Sequence, residues 1–116
     1  MKHSTGKPTK AQQARFDALR EIGCICCWNY VGAYRTPEIH HIVDGGYRKH
    51  SGGHDATLPL CSHHHQGVPP DGYTVEWANA SLGPSLALNK REFIRVFGTE
   101  RQLLETVNAM IERRAA

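Results

Sequence analysis

The sequence has no apolar run approaching the roughly 20 residues that a bilayer span requires, which argues against a transmembrane chain. It also lacks an export signal at its beginning: Met1-Lys2-His3-Ser4 leads into a polar stretch without an apolar core. The expectation is a soluble chain in a reducing, cytoplasmic compartment. No strong excess of one charge is present. The net charge of +3 comes mostly from Lys2, Lys7, Lys10 and the pair Arg113-Arg114, a balance that fits a nucleic-acid partner without demanding one. Internal repeats and low-complexity tracts are absent too, and a composition of 40% hydrophobic and 22% charged residues excludes a disordered chain. At 116 residues the chain reads as a flexible basic arm over residues 1–8 followed by a single domain over 9–116, whose small core would benefit from a staple.

Cysteine is scarce but grouped. In a reducing compartment, cysteines that cluster with histidines point to metal ligation rather than disulfides. Cys24 and Cys27 form a C-x2-C knuckle, and Cys61 with His64 forms a C-x2-H knuckle. Together they make the Cys3His donor set of a closed structural zinc site, with a gap wider than the ~15–20 residues of common zinc ribbons. Cys26 is an alternative to Cys24 or Cys27, and His63 to His64. Cys26 could also be a buried, unligated residue, and the x2 pair Cys24 and Cys27 is preferred because two intervening residues let both sulfurs point at one ion.

Periodicity supplies the frame. Ala11, Ala14, Phe16, Ala18, Leu19 and Ile22 predict an amphipathic helix capped by Thr9 and stopped by Gly23. After Cys27 the chain reads as turn-rich through Asn29 and Gly32. A strand is expected over Pro37 to Val43, then a long basic loop over Asp44 to Asp55 containing Arg48, Lys49, His50 and His54. Thr57 to Leu60 suits a second strand at a sheet edge, because Pro59 gives up a ladder donor. Cys61 to Gln66 should be a short helix closed by Gly67. Tyr73 to Ala80 carries no clear pattern. Helices are expected over Lys90 to Phe97 and Glu100 to Arg113, the latter with a core-packing stripe at Leu103, Leu104, Val107, Met110 and Ile111.

Between the knuckles lie the residues that a zinc staple does not explain: His40-His41 at one end and His65 at the other. Consecutive helical residues point about 100° apart, so His64 can face one metal and His65 another site. Phosphodiester hydrolysis needs a nucleophilic water, a base to deprotonate it and a cation for the charge on phosphate and leaving oxygen. Imidazoles can serve as base and as metal ligands. In an ideal strand His40 and His41 face opposite ways, so a shared site requires the pleat to break at the pair.

The order of strand with His-His, loop, short strand and Cys-x2-His-His on a helix resembles the ββα-metal (HNH, His-Me finger) motif. Cys24-Ile25, Glu38-Ile39-His40-His41-Ile42, Gly53-His54, Leu58-Pro59-Leu60-Cys61, His64-His65-Gln66-Gly67 and Gly83-Pro84-Ser85 together resemble the phage recombination-enhancement, RecA-dependent nuclease (Ref) family over about Gly23 to Gly98. The resemblance implies an α+β fold with flanking terminal helices and a metal-dependent DNA endonuclease. It implies His41 as general base, His40 and His65 as ligands of a catalytic Mg2+ or similar ion, and Cys24, Cys27, Cys61 and His64 as ligands of structural Zn2+. Arg48 and Lys49 are the expected DNA contacts. The middle motif position, usually asparagine, is Ala56 here, so its role falls to His54 or Asp55, with His54 favoured because some HNH relatives use histidine. The family further implies a phage or prophage protein that acts in the bacterial cytoplasm on single-stranded or displaced-strand DNA in a RecA filament. Two other readings remain open: a zinc-stabilised DNA-binding module without catalysis, for which Ala56 speaks, and a zinc-dependent module that contacts only protein.

Overall fold

The structure, a computed structural model, describes residues 5–44 and 46–115, apart from the side chain of Lys49. Part of the expected arm, including Lys2, lies outside the described residues. The element order is α1 (Lys10–Ile22), α2 (Ile25–Val31), β1 (Glu38–His41), β2 (Thr57–Leu60), α3 (Ser62–Gln66), α4 (Val75–Leu82), α5 (Lys90–Phe97) and α6 (Glu100–Ala115). It is a small α+β arrangement around one two-stranded antiparallel sheet. No described helix is long and apolar enough to cross a membrane.

Local chemistry explains the boundaries. Thr9 and Gln12 form a reciprocal capping box at the start of α1. Gly23 ends that helix at φ 82°, a conformation that penalises a side chain, and an added Cβ would stand 2.6 Å from the Tyr34 ring. The turn expected after Cys27 is instead α2, which begins within the cysteine cluster and stops at the left-handed Gly32. The segment without a sequence pattern contains α4, capped by Thr74.

Two strands alone make a marginal sheet, so this one depends on its helices. All four residues of β2 are buried, which places this short strand inside the helical shell. Arg15 of α1 donates to the Thr57 hydroxyl at 2.9 Å, to the Thr57 carbonyl at 2.7 Å and to Asn108 of α6 at 2.8 Å, tying three elements together. Leu19, Ile25, Ile42, Leu58, Leu60, Phe93, Leu103 and Val107 build the core around this junction. Pro59 pairs in register with Ile39, and a two-stranded sheet leaves each strand one side without a ladder to complete.

Strand β1 is shorter than expected, and its pairing runs unbroken through both histidines, His40 opposite Leu58 and His41 opposite Thr57. The break in the pleat that a one-sided histidine pair would need is absent. Period-two geometry therefore places Glu38 and His40 on one face, and Ile39 and His41 on the other. The basic loop between the strands contains two single 3-10 turns, over Lys49–Ser51 and Gly53–Asp55.

Candidate functional site

Helix α3 sorts the histidines. Its N-cap is Cys61, whose sulfur accepts from the His64 backbone N–H at 3.5 Å, and Gly67 closes it in the left-handed conformation. Five residues of helix suffice to aim His63 and His64 inward and His65 toward β1.

On the inner side, Cys24, Cys27, Cys61 and His64 are all buried, and their ligand atoms lie within 4.8 Å of one another. The Cys27 and Cys61 sulfurs are 3.8 Å apart, and His64 Nδ1 stands 3.4, 3.6 and 3.3 Å from the sulfurs of Cys24, Cys27 and Cys61. Tetrahedral ligands on zinc, at about 2.3 Å for sulfur and about 2.0–2.1 Å for nitrogen, stand about 3.5–3.8 Å apart, so the four donors fit that ion. His64 Nε2 donates to the Leu82 carbonyl at 2.6 Å, which fixes the tautomer with a lone pair on Nδ1. Cys26 is buried beside the cluster, and burial together with its contact to Cys24 drives its thiol far above the ordinary range, so it stays neutral. His63 donates from Nε2 to the Gly83 carbonyl at 2.7 Å. Both histidines thus pin α3 to the end of α4, a use for that helix that no local pattern announces.

On one face of β1, His40 and His65 meet with ring centroids 4.9 Å apart. His65 Nδ1 donates to Glu38 at 2.6 Å, leaving Nε2 with the lone pair, the arrangement of a metal-binding histidine oriented by a carboxylate. His40 Nε2 donates to Glu100 Oε1 at 2.5 Å. These side chains, except Glu38, line an open cavity of about 390 Å³ with Gln66 and Lys90. Two imidazoles with adjoining carboxylates can hold a divalent cation. Among the described residues, however, only the Cys3His cluster gathers three or more such donors as tightly.

On the other face, His41 packs against Phe16 and His54. The Gly6 carbonyl can only accept, so His54 Nε2 donates to it at 2.8 Å, and neutral His54 then offers Nδ1 as an acceptor. His41 Nε2 donates to that nitrogen at 2.9 Å. The chain of donors ends on His41 Nδ1, a buried atom with a lone pair and no hydrogen-bond partner. Burial, then the charge of Arg48, then His54, His40 and His65 lower the His41 pKa to about 4, so the ring is neutral near pH 7. Arg48, His40 and His65 therefore lie within electrostatic reach of His41.

Ala56 is buried, and a Cβ added to Gly52 would lie 2.7 Å from the Ala56 Cβ. Glycine at 52 thus lets the loop pass close to Ala56, while His54 occupies the place beside His41. Asp55 instead accepts from Gln12 at 3.3 Å. Of the expected DNA contacts, Arg48 is exposed, and the side chain of Lys49 lies outside the described set. Two further residues come from the start of α6: Glu100, which sequence reasoning did not single out, and Arg101, which helical spacing left open between DNA and solvent. Glu100 reaches His40, and Arg101 grips both carboxylate oxygens of Asp44 at 2.6 and 2.7 Å and the Ser51 carbonyl at 2.6 Å, anchoring the basic loop. Their partners are 50 to 60 residues away, and no local spacing signals such contacts.

Residues 8–112 match the family model described as recombination enhancement, RecA-dependent nuclease. No curated protein matches the chain significantly.

Proposed function

Since the chain belongs to the recombination-enhancement, RecA-dependent nuclease family, we propose that it is an HNH-type DNA endonuclease with His41 as general base, acting on DNA in a RecA filament. The observation that carries this reading is the hydrogen-bonded series from Gly6 through His54 to His41, which leaves a neutral imidazole with its lone pair on Nδ1. A base poised in this way takes the proton of a water as the water oxygen attacks phosphorus and the bond to one ester oxygen breaks. His54 holds the His41 ring and its tautomer. Arg48, whose charge is felt at His41, meets a phosphate oxygen, and Lys49 on the same loop is assigned a second phosphate.

His40 and His65 would hold a divalent ion, which supplies positive charge to the phosphate and the leaving oxygen. The base and these ligands lie on opposite faces of a short strand, so the scissile phosphate is placed at the end of β1, where both faces are within reach. Zn2+ held by Cys24, Cys27, Cys61 and His64 would staple the fold, with His65 left to the other ion. Residues 9–116 form the nuclease domain in this reading, with a basic arm before it, and the source is a phage or prophage acting in a bacterial cytoplasm.

The test is cleavage of supercoiled, linear and RecA-coated single-stranded DNA with and without Mg2+, by wild type and His41→Ala. The substitution is expected to lower metal-dependent cleavage by about 10²–10⁴-fold, the usual contribution of a general base, with zinc content and circular dichroism unchanged. Equal cleavage by both proteins would sink the mechanism. The tight gathering of donors at the Cys3His cluster alone favours a second reading, a zinc-stabilised module that binds DNA without cutting it. Binding by wild type without Mg2+-dependent cleavage of any of the three substrates would select that reading.

A further inference from the structure

We infer that Glu100, the first residue of α6, supplies a carboxylate oxygen to the divalent ion at His40 and His65. The inference rests on the proposal that those two histidines hold an ion. Glu100 and His40 are 60 residues apart in sequence, yet Glu100 Oε1 lies 2.5 Å from His40 Nε2, with the two side chains 11% and 12% exposed. Glu100 lines the same cavity as His40 and His65.

Three arguments make it a ligand rather than a surface partner. A carboxylate withdrawn this far from water is stabilised by a positive charge beside it, which a bound cation supplies. Hard divalent ions such as Mg2+ and Mn2+ favour oxygen donors, and two imidazoles alone offer none. The exposed carboxylate on the other side of the pair, Glu38, is already engaged with His65 Nδ1 and with Gln66. Glu38 is also 43% exposed and does not line the cavity, whereas Glu100 is 11% exposed and does, so Glu100 is the carboxylate placed to meet an ion there.

The experiment titrates Mn2+ into zinc-loaded full-length protein and reads free Mn2+ by electron paramagnetic resonance, with zinc content and thermal midpoint recorded for every variant. Glu100→Gln keeps an acceptor for the His40 N–H but loses the charge and the hard donor. It is expected to bind Mn2+ about tenfold or more weakly, the Glu100→Asp variant by less, and His41→Ala as wild type. Wild-type affinity in Glu100→Gln would overturn the assignment and leave Glu100 as a positioning residue for His40. His40→Ala and His65→Ala separate the two ideas. If they weaken binding while Glu100→Gln does not, only the role of Glu100 falls. If neither does, or if wild type binds no Mn2+, the reading of the histidine pair falls and the assignment of Glu100 with it. Should Glu100→Gln lose its zinc, Glu100→Asp carries the test, and an unchanged Mn2+ affinity there would count against the ligand role.

Discussion

The two sides of helix α3 make opposite uses of the same residue type. His64 faces three sulfurs in a buried cluster whose separations already match a tetrahedral ion. One residue on, His65 faces His40 across a cavity open to solvent, held by a carboxylate, with its donors gathered less tightly than those of the closed cluster. A closed, fully donated site suits a metal that builds structure, because nothing need enter or leave. An open, under-donated site suits a metal that must accept a substrate oxygen. On the proposed reading, the contrast gives the two histidine clusters different work despite their adjacency in sequence.

Substitutions at neighbouring positions sharpen this contrast most. Loss of a donor from the closed cluster should cost the fold. His64→Ala and Cys61→Ala are each expected to lose zinc and to unfold, because the apparent binding energy of a structural zinc, about 10–16 kcal/mol, is comparable to a typical domain's whole stability of about 5–15 kcal/mol. Zinc content and far-ultraviolet circular dichroism measure this, and a folded Cys61→Ala protein would rule out the staple. His65→Ala, one residue away, should keep zinc and fold but lose about a hundredfold or more in cleavage, more than removal of an outer partner of a ligand usually costs. Unfolding of His65→Ala comparable to that of His64→Ala would erase the distinction between the two sides.

A smaller effect is expected behind the base. His54→Ala frees His41 to rotate and to change tautomer, and should reduce the single-turnover cleavage rate by about ten- to a hundredfold, part of the total contribution of the base. An unchanged rate would show that the series ending at Gly6 does not position His41. Smallest is Arg48→Ala, which should weaken DNA binding across sequences and reduce the slope of log affinity against log salt by about one. An unchanged slope would place Arg48 away from phosphate.

How far these features could be read from sequence depended on whether the signal was local. The capping pair Thr9 and Gln12, the Gly67 stop and the x2 spacing of the knuckles all act within a few residues, and the elements they imply are present. Helix α2 was not legible because Cys, Trp, Asn, Tyr and Val are indifferent helix formers, and burial of Ile25, Cys26 and Cys27 holds the turn instead. The pleat was misjudged for a related reason. A common site for His40 and His41 was assumed to need both rings on one face, whereas the strand stays regular and each face brings its own partners, His65 and Glu100 to one, His54 and Phe16 to the other. Glu100 and Arg101 look in sequence like the ordinary first turn of a helix, and only the packing of α6 near β1 and the basic loop gives them other partners.

If one short helix serves two metal centres of different kind, selective removal of the open one should separate them. Zinc-loaded protein is dialysed against magnesium-free buffer, and cleavage of RecA-coated single-stranded DNA is followed before and after Mg2+ is restored, with zinc content and circular dichroism recorded throughout. Cleavage should stop and return with Mg2+ while one zinc per chain and the folded spectrum persist. Undiminished cleavage without added divalent ion, or loss of the folded spectrum on removing Mg2+ alone, would contradict the division.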